Sequence, residues 1–172
     1  MPRKVTIEKL VGLFRLSARY YNEAAAMGCE SLAIDAPSRA VHSIGRALNY
    51  PGLSNDSVSV VRKYSGAVFS AAAWDAHLRG AGKGELRTEH VSPQRELTRK
   101  AIALVTDGGS DAELIDLVRR FYLMVVLTMD EVSRLDRVNK SKIEPGRLEK
   151  ALGCIFVRAG EPAPANLVCG FA

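Results

Sequence analysis

The sequence predicts a mainly α chain: one compact helical domain of about six helices over residues 1–160, with room for a minor two-stranded β element, and an irregular tail over 161–172. Three observations lead there. Aliphatic residues recur at three- and four-residue steps through most of the chain. Serine, threonine and proline stand where those runs start, and glycine stands where they stop. The aromatic share is only 6%, so alanine and aliphatic side chains must fill the interior, and these let helices approach closely.

The first helix is expected from Thr6 to about Met27. Ile7, Leu10, Val11, Phe14, Ala18, Tyr21 and Ala25 share one face, Thr6 is a candidate cap, and Gly28 supplies the left-handed stop. A second helix should begin near Pro37, because proline in a first turn sacrifices no hydrogen bond. It turns Val41, Ile44 and Leu48 inward and ends before Asn49-Tyr50-Pro51-Gly52. Residues 57–79 admit one long helix or a split. The valine-rich stretch from Val58 to Tyr64 favours the split, with an extended piece at Val68-Phe69 and Ser70 capping a helix from Ala71 to Arg79.

Gly80-Ala81-Gly82-Lys83-Gly84 reads as a connector, because Lys83 is not followed by Ser or Thr and no apolar strand precedes it. Pro93, after Ser92, opens a helix with Leu97, Ala101, Leu104 and Val105 inward. Ser110 with Glu113 and Thr128 with Glu131 have the spacing of capping boxes. The first box opens a helix with Leu114, Val118 and Phe121 inward, the second one with Val132, Leu135 and Val138. Tyr122–Leu127 between them is a buried strand or a helix end, with a break at Thr128. A last helix is expected from Pro145 to about Arg158, burying Leu148, Leu152, Ile155 and Phe156.

Composition narrows the function classes. At 172 residues, 47% hydrophobic and 25% charged, the chain can bury a core without disulfide or metal staples. The longest apolar run, Phe121–Leu127, is far short of the roughly 18 residues a membrane span needs. Cys29, Cys154 and Cys169 are odd in number and widely spaced, as free thiols of a reducing, cytoplasmic compartment are. The net charge is +5: residues 1–86 hold 11 basic and 7 acidic side chains, and residues 87–172 hold 13 and 12. That balance suits a nucleic-acid or other acidic partner.

Candidate chemistry centres on Glu89-His90-Val91-Ser92-Pro93, an acid beside a histidine between an extended piece and a helix start. The string resembles the first half of the HNH nuclease signature, in which an acidic–His pair ends a strand before a proline turn. The resemblance implies His90 as general base and Glu89 as metal ligand. No histidine follows His90 to supply the signature's second one; Asn139 and Glu131 are the available replacements. More broadly, the order of Glu89-His90-Val91-x-Pro93, a helix, a capped helix, an apolar run and then Leu127-Thr128-x-x-Glu131-x-x-x-Leu135, within residues 66–160, resembles small uncharacterised proteins of bacteria and mobile elements, which implies a bacterial, phage or mobile-element origin.

His42 flanks the second helix stripe, and Trp74 and His77 share a helix face. No GxSxG motif and no cysteine with a neighbouring histidine appear, and no local spacing brings His77 and His90 together as metal ligands; neither a cofactor nor a metal is expected. Candidate contacts to a partner are the pair Arg119-Arg120 and, within a basic stretch from Arg134 to Lys150 that also holds Arg147, the residues Arg134, Arg137, Lys140 and Lys142. Asp130–Arg134 and Asp136–Lys140 are i,i+4 pairs of the kind a solvated helix also carries. The expectation is a non-enzymatic binding or regulatory protein acting on a protein or nucleoprotein partner. An HNH-like nuclease, active or decayed, and an oligomerising helical domain with the first helix or residues 121–127 as its seam are the rivals.

Overall fold

The computed structural model describes residues 5–51, 67–82, 84–139, 142–144, 146–153, 156–158 and 161–162. The chain is mainly α with a small sheet, as the sequence predicts, and divides into two compact units: Met1–Pro51 with Gln94–Tyr122, and Gly52–Pro93 with Leu123–Ala172.

The described elements of the first unit are all helices: α1 (Ile7–Ala26), α2 (Glu30–Ala33), α3 (Asp35–Asn49), α5 (Gln94–Thr106) and α6 (Asp111–Phe121), with α4 (Ala71–Leu78) belonging to the second unit. Val11, Phe14 and Ala18 of α1 are buried with Val41 and Ile44 of α3, Leu97, Ala101 and Ile102 of α5, and Leu114 and Val118 of α6. Gly28, at φ +74°, follows the end of α1 as expected. Thr6 is extended but makes no side-chain cap bond. The helix α3 starts two residues before Pro37, which then sits in the first turn, where its missing N–H costs nothing. Leu48 and Phe121 are only half-buried. In α5 the buried face is Leu97, Thr98, Ala101 and Ile102, rotated from the expected stripe, and Leu104 and Val105 are half-buried.

The Ser110–Glu113 capping box forms: Ser110 Oγ accepts from Glu113 N, and Ser110 N donates to the Glu113 carboxylate. Arg15 bridges to the same turn, with Nε 2.6 Å from Asp111 Oδ1 and Nη2 donating to Gly109 O at 2.7 Å. Tyr122 is fully buried over Gly45, where a Cβ would lie 2.0 Å from its ring. Its hydroxyl is 2.7 Å from His42 Nδ1, and Asn49 Nδ2 donates to its carbonyl.

The second unit is built on a sheet of β1 (Val68–Ser70), β2 (Leu86–His90), β3 (Met124–Thr128), β4 (Phe156–Arg158) and β5 (Glu161–Pro162), with helices α4 (Ala71–Leu78), α7 (Met129–Val138) and α8 (Arg147–Leu152). The strand order is β2-β3-β1-β4-β5; β1 and β3 are parallel and the other pairs antiparallel. Among the described residues the β element thus has five strands, where the sequence suggested two. Tyr122–Leu127 resolves as strand from Met124, and its continuous apolar run suits a central position buried on both faces. Val68-Phe69 and the Ser70 cap stand as expected, with Ser70 Oγ accepting from Ala73 N; the extended stretch expected over 58–64 lies outside the described residues.

One helix is shorter than its spacing predicts. Expected over Pro145–Arg158, it spans only Arg147–Leu152, because Gly146 and Gly153 take left-handed conformations at its two ends. Phe156 still reaches the core, but from β4. Residues 161–162, expected as the start of the tail, pair with β4.

Alternation sorts the sheet. Val68, Val125 and Leu127 face Val132 and Leu135 of α7 and Leu148 and Leu152 of α8. On the other face Phe69 meets Trp74 and His77 of α4, ring centroids 5.2 and 5.3 Å away. The expected Trp74–His77 contact is present, at 5.6 Å. Val138, expected inward, is exposed.

Candidate functional site

Glu89 and His90 end β2, where the pairing with β3 sets their directions. Glu89 is opposite Val125 and His90 opposite Met124, so the two side chains belong to opposite faces of the sheet. Glu89 shares the α7–α8 face. Its carboxylate pairs with Arg87 Nε at 2.8 Å. Burial pushes the Glu89 carboxyl above the usual range; Arg87 opposes this, Asp136 adds to it, and Arg147 opposes it.

Arg147 belongs to the structure rather than to a phosphate-binding surface. It is buried, with Nε donating to Asn139 O at 3.0 Å and Nη1 to His90 O and Val91 O at 3.2 Å each. These bonds tether the start of α8 to the ends of α7 and β2. Burial lowers its proton affinity, while Glu89, Asp136 and Glu144 raise it. The sequence grouped Arg147 with solvated lysines and arginines; only the bracketing Gly146 and Gly153 set its helix apart. Among the described residues no three His, Cys, Asp or Glu side chains gather as metal ligands.

Glu131 is not placed to replace a catalytic histidine. Its Oε2 accepts from Ser70 Oγ at 2.6 Å, Thr128 N at 2.8 Å and Thr128 Oγ1 at 3.1 Å, so it is committed to two helix caps. Asn139 gives its carbonyl to Arg147 and its side-chain oxygen to Lys142 N.

The basic candidates divide between the units. Arg134, Arg137 and Lys142 are exposed in the second, and Lys140 lies outside the described residues. Arg137 Nε donates to Ser133 O one turn back. Arg119 and Arg120 are exposed in the last turn of α6 in the first unit, with Arg120 4.0 Å from Asp116 and over the Phe121 ring.

A cluster of exposed apolar side chains lies elsewhere among the described residues. On the outer face of α1, Leu13, Leu16 and Tyr20 are 55%, 64% and 57% exposed, and they line a groove of about 450 Å³ with Ser17, Arg19, Glu23 and Ala36. Val5 and Met27 extend the stripe toward the two ends of the helix. Its signal was present in the sequence, as apolar residues three and four apart beside the inward stripe. A helix apolar on two sides expects two partners. Comparison with protein-family models, with curated proteins and with solved structures finds no match to this chain.

Proposed function

We propose that this chain is a non-enzymatic binding protein that docks on a protein partner through the outer face of α1. The exposed stripe of Leu13, Leu16 and Tyr20 carries the reading. Covering each such side chain contributes up to about 1.5–3 kcal/mol, against about 0–1 kcal/mol for an exposed ion pair. Contiguous apolar surface of this kind marks interaction sites. The odd number and wide spacing of Cys29, Cys154 and Cys169 support a reducing, cytoplasmic setting, and no described helix is long and apolar enough to cross a membrane. A regulatory role belongs to the same reading, and so does a bacterial, phage or mobile-element origin, which rests on the similarity of residues 66–160 to small proteins of bacteria and mobile elements.

A photo-cross-linking residue at position 16 tests it in cells, with position 100, also exposed, as the control. Adducts heavier than the monomer are expected from position 16 and not from position 100. Equal yields, or none from position 16, overturn the reading.

A nucleoprotein partner is favoured by Arg134 and Arg137, exposed one turn apart and unpaired with any carboxylate among the described residues. The double change Arg134→Ala with Arg137→Ala is then expected to flatten the salt dependence of binding to duplex DNA. An unchanged slope removes this version.

A further inference from the structure

The α1 stripe carries one further feature, the order of charges along it. Lys9, Leu16 and Glu23 stand seven residues apart, so they fall close to one line along the helix. All three are exposed. The line therefore runs from a cation, through the apolar centre, to an anion, with each charge about 10.5 Å along the axis from Leu16.

We infer that the partner covering this face is a second copy of the chain, its α1 antiparallel to the first about a two-fold axis through Leu16. The inference rests on the docking reading above and names its occupant. Under that axis Lys9 of each copy meets Glu23 of the other, and Leu16 meets Leu16. An isologous contact repeats each pair, so two opposite-charge pairs flank one apolar centre. A parallel pairing would set Lys9 against Lys9 and Glu23 against Glu23. The face is thus self-complementary in one orientation only.

Shape agrees with charge. The same axis sets Tyr20 of one copy opposite Gly12 of the other. Gly12 is exposed, and a Cβ built there meets no atom within 4 Å, so the helix carries an open notch where the tyrosine ring arrives. Leu13 comes opposite Arg19, whose aliphatic stem can cover it while the guanidinium stays in water. A single helix pair is a small interface, so the dimer is expected to be reversible, with a Kd on the order of micromolar.

Sedimentation equilibrium of the full chain tests the proposal. The wild type should show a monomer–dimer equilibrium. Lys9→Glu and Glu23→Lys alone should each weaken it about tenfold, because two attractive pairs become two repulsive ones. The double variant restores opposite charges and should return the affinity to within about threefold of wild type. Both positions are exposed, and circular dichroism checks that the helices persist. A monomer at every concentration overturns the proposal, as do single variants that match wild type or a double variant that fails to recover. A monomer that still gives adducts to other proteins from position 16 overturns the second copy and leaves the docking reading standing. No adducts at all removes both.

Discussion

Ser70 Oγ donates a 2.6 Å hydrogen bond to Glu131 Oε2, joining the N-terminal caps of α4 and α7 inside the second unit. Parallel pairing of β1 and β3 places the two strand ends side by side, and each strand passes straight into its helix. Both side chains are buried, so neither has water as a substitute partner. Ser70→Ala is expected to cost about 2 kcal/mol, the sum of a lost cap and a lost bond to a charged group. Glu131→Ala should cost about 3 kcal/mol, since it strands Thr128 N and Ser70 Oγ together. In urea titrations of the double-mutant cycle, a coupling of about 1–2 kcal/mol is expected. Strict additivity would mean that the two caps are independent.

Gly45 and Tyr122 set the second expectation. A methyl group at position 45 would overlap the Tyr122 ring, which is buried and held at its hydroxyl and its carbonyl. Gly45→Ala should therefore destabilise the first unit by about 3 kcal/mol, despite alanine's better helix propensity. A stabilised variant in thermal unfolding would show that the ring has room to move.

Glu89 gives a pH dependence with a definite sign. Burial raises its folded-state pKa above the unfolded value, so its contribution is complete below the unfolded pKa and is lost as pH rises through the folded one. Stability should fall across the window just above the ordinary glutamate range. Glu89→Gln cannot ionise, so that slope should disappear and neutral-pH stability should match or exceed wild type. Urea midpoints from roughly pH 4 to 7 measure it. Parallel curves for the two proteins would place the acid in solvent.

Arg147 makes its bonds through two separate nitrogens to carbonyls on α7 and β2. A lysine cannot reproduce that fork, so Arg147→Lys should cost about 2–3 kcal/mol in denaturant unfolding. A cost near zero would contradict its role as a tether.

What was legible in the sequence is what local chemistry decides. The Ser70, Ser110 and Thr128 caps are written in three or four consecutive residues, and all three form. Less was legible where two local signals compete. Leu148, Leu152 and Phe156 keep helical spacing, yet left-handed Gly153 stops the helix and Phe156 joins the core from a strand. Distant contacts were not legible at all. Glu89 and His90 are adjacent in sequence, but only the register with β3 shows that they face opposite sides. Arg147 looks like any residue of a basic run until three carbonyls from elsewhere surround it. On α1 two apolar stripes lie side by side, and spacing alone does not tell the buried one from the exposed one.

The proposed function has this chain working by contact through α1 rather than by chemistry at Glu89 and His90. Its most direct test is the yield of adducts from a photo-cross-linker at position 16, compared between the wild-type background and one carrying Glu89→Gln with His90→Ala. Equal, abundant adducts in both backgrounds are expected. Absence of adducts in both, with plasmid cleavage by the wild type that the double change abolishes, would contradict it.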